Sequence, residues 1–159
     1  MELVKRNSAL WYYLPKDIKG LLLDGEVLLE EAEALPGKIS DFSFLVFPFS
    51  KAYEGFLKKI LLDLGLIRED EYYGDDIRIG RILNPKFIHE HENVFDRLGE
   101  GSEMAHKLWG LWKVGRNQVF HYFPHNFRKL EFEEAKKIIE DLVEAMGEAT
   151  EVFGFPKEN

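Results

Sequence analysis

The sequence predicts an all-α fold, an antiparallel bundle of four to five main helices with a loop or short-strand insertion around 66–85. Two observations carry this. Apolar residues recur at three- and four-residue steps through several long stretches, the period of a helix with one buried face. Proline and glycine fall between those stretches rather than within an alternating pattern, and no run reads as a secure strand. At 159 residues, with 45% hydrophobic, the chain suits one compact domain with a sizeable core, assigned here to 1–159.

The elements follow in order. Pro15 reads as the first residue of a helix that runs to about Leu35, with Leu21, Leu22, Val27, Leu28, Leu29 and Ala32 as its apolar stripe. A second helix covers about 43–65, with Pro48 set to kink or divide it. Its stripe is Tyr53, Phe56, Leu57, Ile60, Leu61 and Leu64, and Gly65 stops it. Residues 66–85 carry no helical period, and IRIGRIL within them reads as a short strand pair or a loop. A third helix is expected at about 86–98. A fourth runs from Glu103 through VGRNQVFHYF, bends at Gly115 and stops before Pro124. The last helix buries Phe132, Ala135, Ile138, Ile139, Leu142, Val143 and Met146.

No segment has the length and continuous apolarity of a membrane span, and the N-terminus lacks the pattern of a signal peptide. With no cysteine there is neither a disulfide framework nor a thiolate metal site, and a cytoplasmic protein is the expectation. The formal net charge of −8 argues against a protein that coats nucleic acid. The charge is uneven, however. Residues 106–137 hold seven lysines and arginines against three glutamates, so an acidic chain has one basic third able to hold a polyanion locally.

Within that third stands RNQVFH. On a helix wheel of about 100° per residue, Asn117 falls about 100° and His121 about 140° from Arg116, so the three polar groups share one side. Asn117 and His121, four apart, are placed to touch. Histidine is the usual proton-transfer group near neutral pH, and guanidinium is the best fork for phosphate oxygens. The set suits cleavage of a phosphodiester, with histidine moving the proton and arginine stabilising charge on phosphorus.

Arg116-Asn117-x3-His121 resembles the Arg-x4-6-His motif of the HEPN superfamily, in which the residue after arginine is commonly polar and often asparagine. The motif's place, at a helix end before a final amphipathic helix, is similar too. AYEGFLKKIL at 52–61 looks like the second family helix, with Glu54-x3-Lys58 resembling the Glu-x3-Lys motif of some members. The wider segment SFLVFPFSKAYEGFLKKILLDLGLI is similar to RNase toxins of the RnlA/LsoA type. The resemblance covers about residues 10–153 and is specific at 116–121. It implies a helical bundle that forms a homodimer, with two Arg-x4-6-His motifs meeting across the cleft. It also implies a metal-independent endoribonuclease, a toxin or antiviral effector leaving 2′,3′-cyclic phosphate and 5′-hydroxyl ends. By position, Arg116 and His121 are the catalytic pair and Asn117 the supporting polar residue. The implied partners are RNA, a second copy and an antitoxin protein, with no cofactor and no metal. Toxins paired with a nucleotidyltransferase antitoxin often read Arg-x4-6-His-x-Tyr. Here Tyr122 directly follows His121 and position 123 is Phe. Some family members are inactive interaction modules, so a non-catalytic module binding a protein or nucleotide is the alternative function.

Other residues have plainer accounts beside the functional one. Glu54 and Lys58 suit an exposed helix ion pair or a supporting place in the site. Lys113, Tyr122, His125 and Arg128 flank the motif and either support RNA binding or sit in solvent. Trp109 and Trp112 read as core or dimer interface ahead of base stacking. Glu103-x-x-His106 has the di-iron ligand spacing but no second copy to complete such a site. His89 and His91 lack the spacing of a zinc protease and read as helix surface. Tyr72 and Tyr73 fall in the unpatterned segment.

Overall fold

A computed structural model of the protein describes residues 2–35, 37–87, 102–125 and 127–156. These residues are helical, with no strand among them. The short α1 (Ala9–Tyr13), capped by the Ser8 hydroxyl accepting from the Trp11 amide, was not foreseen. Then come α2 (Lys16–Glu33) and α3 (Ser43–Asp63), the short α4 (Glu69–Tyr73) and α5 (Ile79–Ile82), and a 3₁₀ turn at Pro85–Phe87. After 102 follow α6 (Ser102–Trp112), a π-helical turn (Lys113–Gln118) and α7 (Phe132–Val152).

The core is one cluster drawn from every main helix, with α3 at its centre and packed most extensively against α2 and α7. The expected stripes are the ones buried on α3 (Tyr53, Phe56, Leu57 and Ile60) and on α7 (Ala135, Ile138, Ile139, Leu142 and Met146). On α2 only Leu22, Leu29 and Ala32 of the expected stripe are buried, while Leu21 is half-buried and Val27 and Leu28 face out. The buried face of α2 runs instead through Ile18, Leu22, Gly25, Glu26 and Leu29. Chain direction alternates. Gly25 of α2 meets Phe49 of α3, and Ile18 meets Gly55, so those two helices run opposite ways. A Cβ on Gly25 would come within 2.5 Å of the Phe49 ring, and the missing side chain is what lets α2 lie so close. α6 runs back along α3. α7 runs parallel to α3, their starting ends joined where the Phe42 amide donates to the Leu130 carbonyl at 2.9 Å.

Several details correct the sequence reading. Pro15 is the cap before α2 rather than its first residue. Pro48 lies buried inside α3, which runs through it as one helix. IRIGRIL forms a helical turn, not a strand pair. Ile79 and Leu83, four apart, are both buried while Arg78 and Arg81 face out, a spacing that a strand's alternation would not produce. Gly80 in that turn lies against the Trp112 indole, where a Cβ would stand 2.9 Å from Nε1. The expected helix at 86–98, with His89 and His91, falls outside the described residues beyond the 3₁₀ turn.

The buried Glu26 anchors the N-terminal segment. Its carboxylate accepts from the Leu3 amide at 2.8 Å and pairs with the Arg6 guanidinium, which lies 4.3 Å over the Trp11 ring. Just before α3, Asp41 accepts from the Ser43 hydroxyl and amide and from the Leu130 amide at 3.1 Å. Partial burial works against its charge. The hydrogen bonds and nearby Lys129 outweigh this and hold the carboxyl below its ordinary value of 3.8. A lowered folded pKa contributes stability that is present above that ordinary value and lost as pH falls through the folded one. Asp41→Asn is therefore expected to be less stable than wild type at pH 7. Urea midpoints should converge below about pH 3.8. An undiminished gap in acid would mean that the charge is not what matters there.

Candidate active site

The site is built from one stripe of α3 and the π-helical turn that follows α6. Along α3, Tyr53 and Glu54 lie three and four residues after Ser50, and Lys58 four after Glu54. Ser50 and Tyr53 are anchors. The buried Tyr53 hydroxyl donates to the Leu108 carbonyl at 2.9 Å, and the buried Ser50 hydroxyl donates to the Gly115 carbonyl. Burial pushes the Tyr53 phenol far up, so it stays a donor at any working pH. Tyr53→Phe should cost about 1 kcal/mol by denaturant titration. A change within error would show that water replaces the bond.

Gly115 is buried, and a Cβ there would stand 3.0 Å from a methyl of Leu142 on α7. The π turn is thus clamped between Ser50 on one side and Leu142 on the other. Its bonds run from i to i+5, which widens the helix, and it ends at Gln118, before His121. On an α-helical wheel Arg116 and His121 lie about 140° apart on one side, and in the structure both border one open pocket of about 400 Å³, together with Phe47, Ser50, Lys51, Glu54 and Phe120.

Arg116 is oriented from two sides. Its guanidinium lies 4.9 Å over the Trp112 ring, and its Nε stands 3.8 Å from Glu54 Oε2. The side chain is 50% exposed, so these contacts contribute little stability but restrict where the fork points. Glu54 also pairs with Lys58 at 3.8 Å, the helix pair expected from sequence. Helical structure ends at Phe120, so His121 stands just past the helix, exposed at the pocket rim, three residues before Pro124.

Asn117 and His121, placed to touch on the wheel, do not share a cavity. No hydrogen bond joins them, and Asn117 faces a second, larger groove of about 1350 Å³. That groove lies between α3, the 66–85 segment and α6, with Lys58, Arg78, Arg81, Trp109 and Asn117 on its walls. Glu54 and Arg116 border both cavities and form the divide between them. Arg116, His121, Glu54 and Lys58 are thus gathered around the divide, with Asn117 on its far side.

Lys113, Tyr122, His125 and Arg128 line neither cavity. Lys113 lies 5.7 Å over the Trp109 ring, Tyr122 packs on Phe127, His125 lies beside Phe123, and Arg128 reaches Gln118 Oε1 at 3.4 Å. Trp112 is buried in the core. Among the described residues, Glu103 and His106 are not part of any group of three acidic or histidine side chains that could hold a metal ion. Ser50, Lys51, Phe47 and Phe120 were missed as site residues. The signal available was helical offset: Phe47, Ser50 and Lys51 lie seven, four and three residues before Glu54, and Phe120 four after Arg116.

No helix among the described residues is long and apolar enough to cross a membrane. Set against known proteins, the chain matches no family model, no curated protein and no solved structure.

Proposed function

We propose that the protein is a metal-independent endoribonuclease of the HEPN type that acts as a homodimer, a toxin or antiviral effector. The observation that supports this best is the single pocket bordered by Arg116, on the π turn, and His121, just past the helix end, with Glu54 beside the guanidinium. In this reading His121 takes the proton from a ribose 2′-hydroxyl, and the 2′-oxygen attacks the adjacent phosphorus. Arg116 stabilises the charge that builds on the phosphoryl oxygens. The 5′-oxygen leaves with a proton, and the products are a 2′,3′-cyclic phosphate and a 5′-hydroxyl. One arginine and one histidine make a sparse site, and a twofold axis through the cleft doubles the set. An antitoxin that covers this pocket is the partner this reading calls for.

The experiment is incubation of a mixed RNA pool with the protein in EDTA, followed by analysis of product ends. Cleavage with cyclic phosphate ends is expected. Intact RNA under all conditions would favour the second reading, a non-catalytic module that binds a protein or nucleotide through the same cleft. What favours that module is the acidic chain and the exposed Phe120, Tyr122, Phe123 and Phe127 beside the motif.

A further inference from the structure

The small pocket holds more than its polar groups require. Phe47 of α3 is 56% exposed and Phe120 40% exposed, and the two rings meet edge to face with centroids 5.8 Å apart. Neither is needed to close the core, which is built from other faces of the same helices. They stand in one cavity with Lys51, Arg116 and His121. A pocket that combines exposed aromatic faces with Lys51, Arg116 and His121 against the one carboxylate of Glu54 complements a ligand with a flat ring and a negative charge. At about 400 Å³ the cavity is at the small end of ligand sites, which run from about 300 to 1,000 Å³. The divide made by Arg116 and Glu54 opens on its other side into the larger groove, so a chain that crosses it places a phosphate over Arg116.

We infer that Phe47 and Phe120 form a base-stacking subsite. It takes one unpaired nucleobase next to the phosphate held at Arg116, with Lys51 meeting the neighbouring phosphate. That the polymer is RNA rests on the nuclease reading above; the subsite itself rests on the pocket. A paired base has its faces covered by its neighbours in the stack, so the subsite selects strands that are open at this nucleotide.

The test reads binding rather than cleavage. A fluorescent 2′-O-methyl RNA hexamer, which lacks the attacking hydroxyl, is titrated with wild type, Phe47→Leu and Phe120→Leu. Each series is repeated with hexamers carrying one abasic position. Loss of a stacked base weakens binding roughly 5- to 150-fold. Each Phe variant should lose affinity within that range, and one abasic position should cost wild type as much. The decisive result is the cycle: at that position the two losses must fail to add, because the ring and the base are partners. Additive losses at every position, or unchanged affinity in both variants, would overturn the subsite. So would Phe variants that keep RNA affinity but sediment as smaller species, since the rings would then belong to a protein interface. Lack of cleavage by wild type would count against the nuclease alone, and a non-additive cycle would still establish the subsite.

Discussion

His121→Ala is expected to lower RNA cleavage by about 10²- to 10⁴-fold, the range for removing a general acid or base. Arg116→Ala should fall at least as far, because the guanidinium faces charge that builds only in the transition state. Arg116→Lys should rescue little. An ammonium is a point charge without the planar fork, and it gives up the flat packing on Trp112. Both side chains are exposed, and neither makes a buried hydrogen bond. Their removal should therefore leave thermal unfolding nearly unchanged, within about 0.5 kcal/mol. Melting curves by circular dichroism check the fold, and end-labelled RNA checks the chemistry. Wild-type cleavage by either variant, with its fold intact, would end the assignment of this pocket as the catalytic one.

Gly115→Val carries the largest stability change expected near the site. A Cβ at this position would already press on Leu142 at 3.0 Å, and a branched side chain adds methyl groups with no free volume to enter. Overpacking of this kind costs about 1–3 kcal/mol. The strain has one direction of escape, which is to push the π turn off α7 and loosen the Ser50 bond. Arg116 and His121 would then no longer border the same pocket. Cleavage is therefore expected to drop further than the stability loss accounts for, measured at a temperature where the variant is fully folded. Ser50→Ala offers the control, because it removes the other half of the clamp without adding volume. If both variants unfold more easily but cleave normally when folded, the turn's geometry does not matter to the site.

On α3 and α7 the buried stripes follow directly from periodicity, whereas on α2, where apolar residues crowd both sides of Gly25, Val27 and Leu28 of the expected stripe are exposed. On α7 every expected position except the half-buried Phe132 is buried. The site was legible at Arg116 and His121 by residue type, but its geometry was not. An α-helical wheel pairs Asn117 with His121, whereas in the structure Arg116 and His121 border one pocket and Asn117 lines the other groove. A π turn has no local sequence rule. It exists here because Ser50 and Leu142, far away in the chain, hold Gly115 between them. Glu54 shows the same limit. Its bond to Lys58 is a helix spacing and could be read, but its approach to Arg116 depends on how two helices dock. IRIGRIL was ambiguous because a four-residue turn is too short to show a period, and docking on Trp112 through Gly80 decided it.

The position of α7 bears on how the protein is made. Gly115 leans on Leu142, and the segment after His121 is tied to Asp41 through Leu130. Both supports come from residues synthesised after those of the pocket, and α3, already translated, has no parallel neighbour until then. A nascent chain that carries every residue of the pocket still lacks what holds the pocket in shape. Its activity is expected to appear only after α7 has emerged from the ribosome and docked. Under the nuclease proposal, this order protects the message during its own translation.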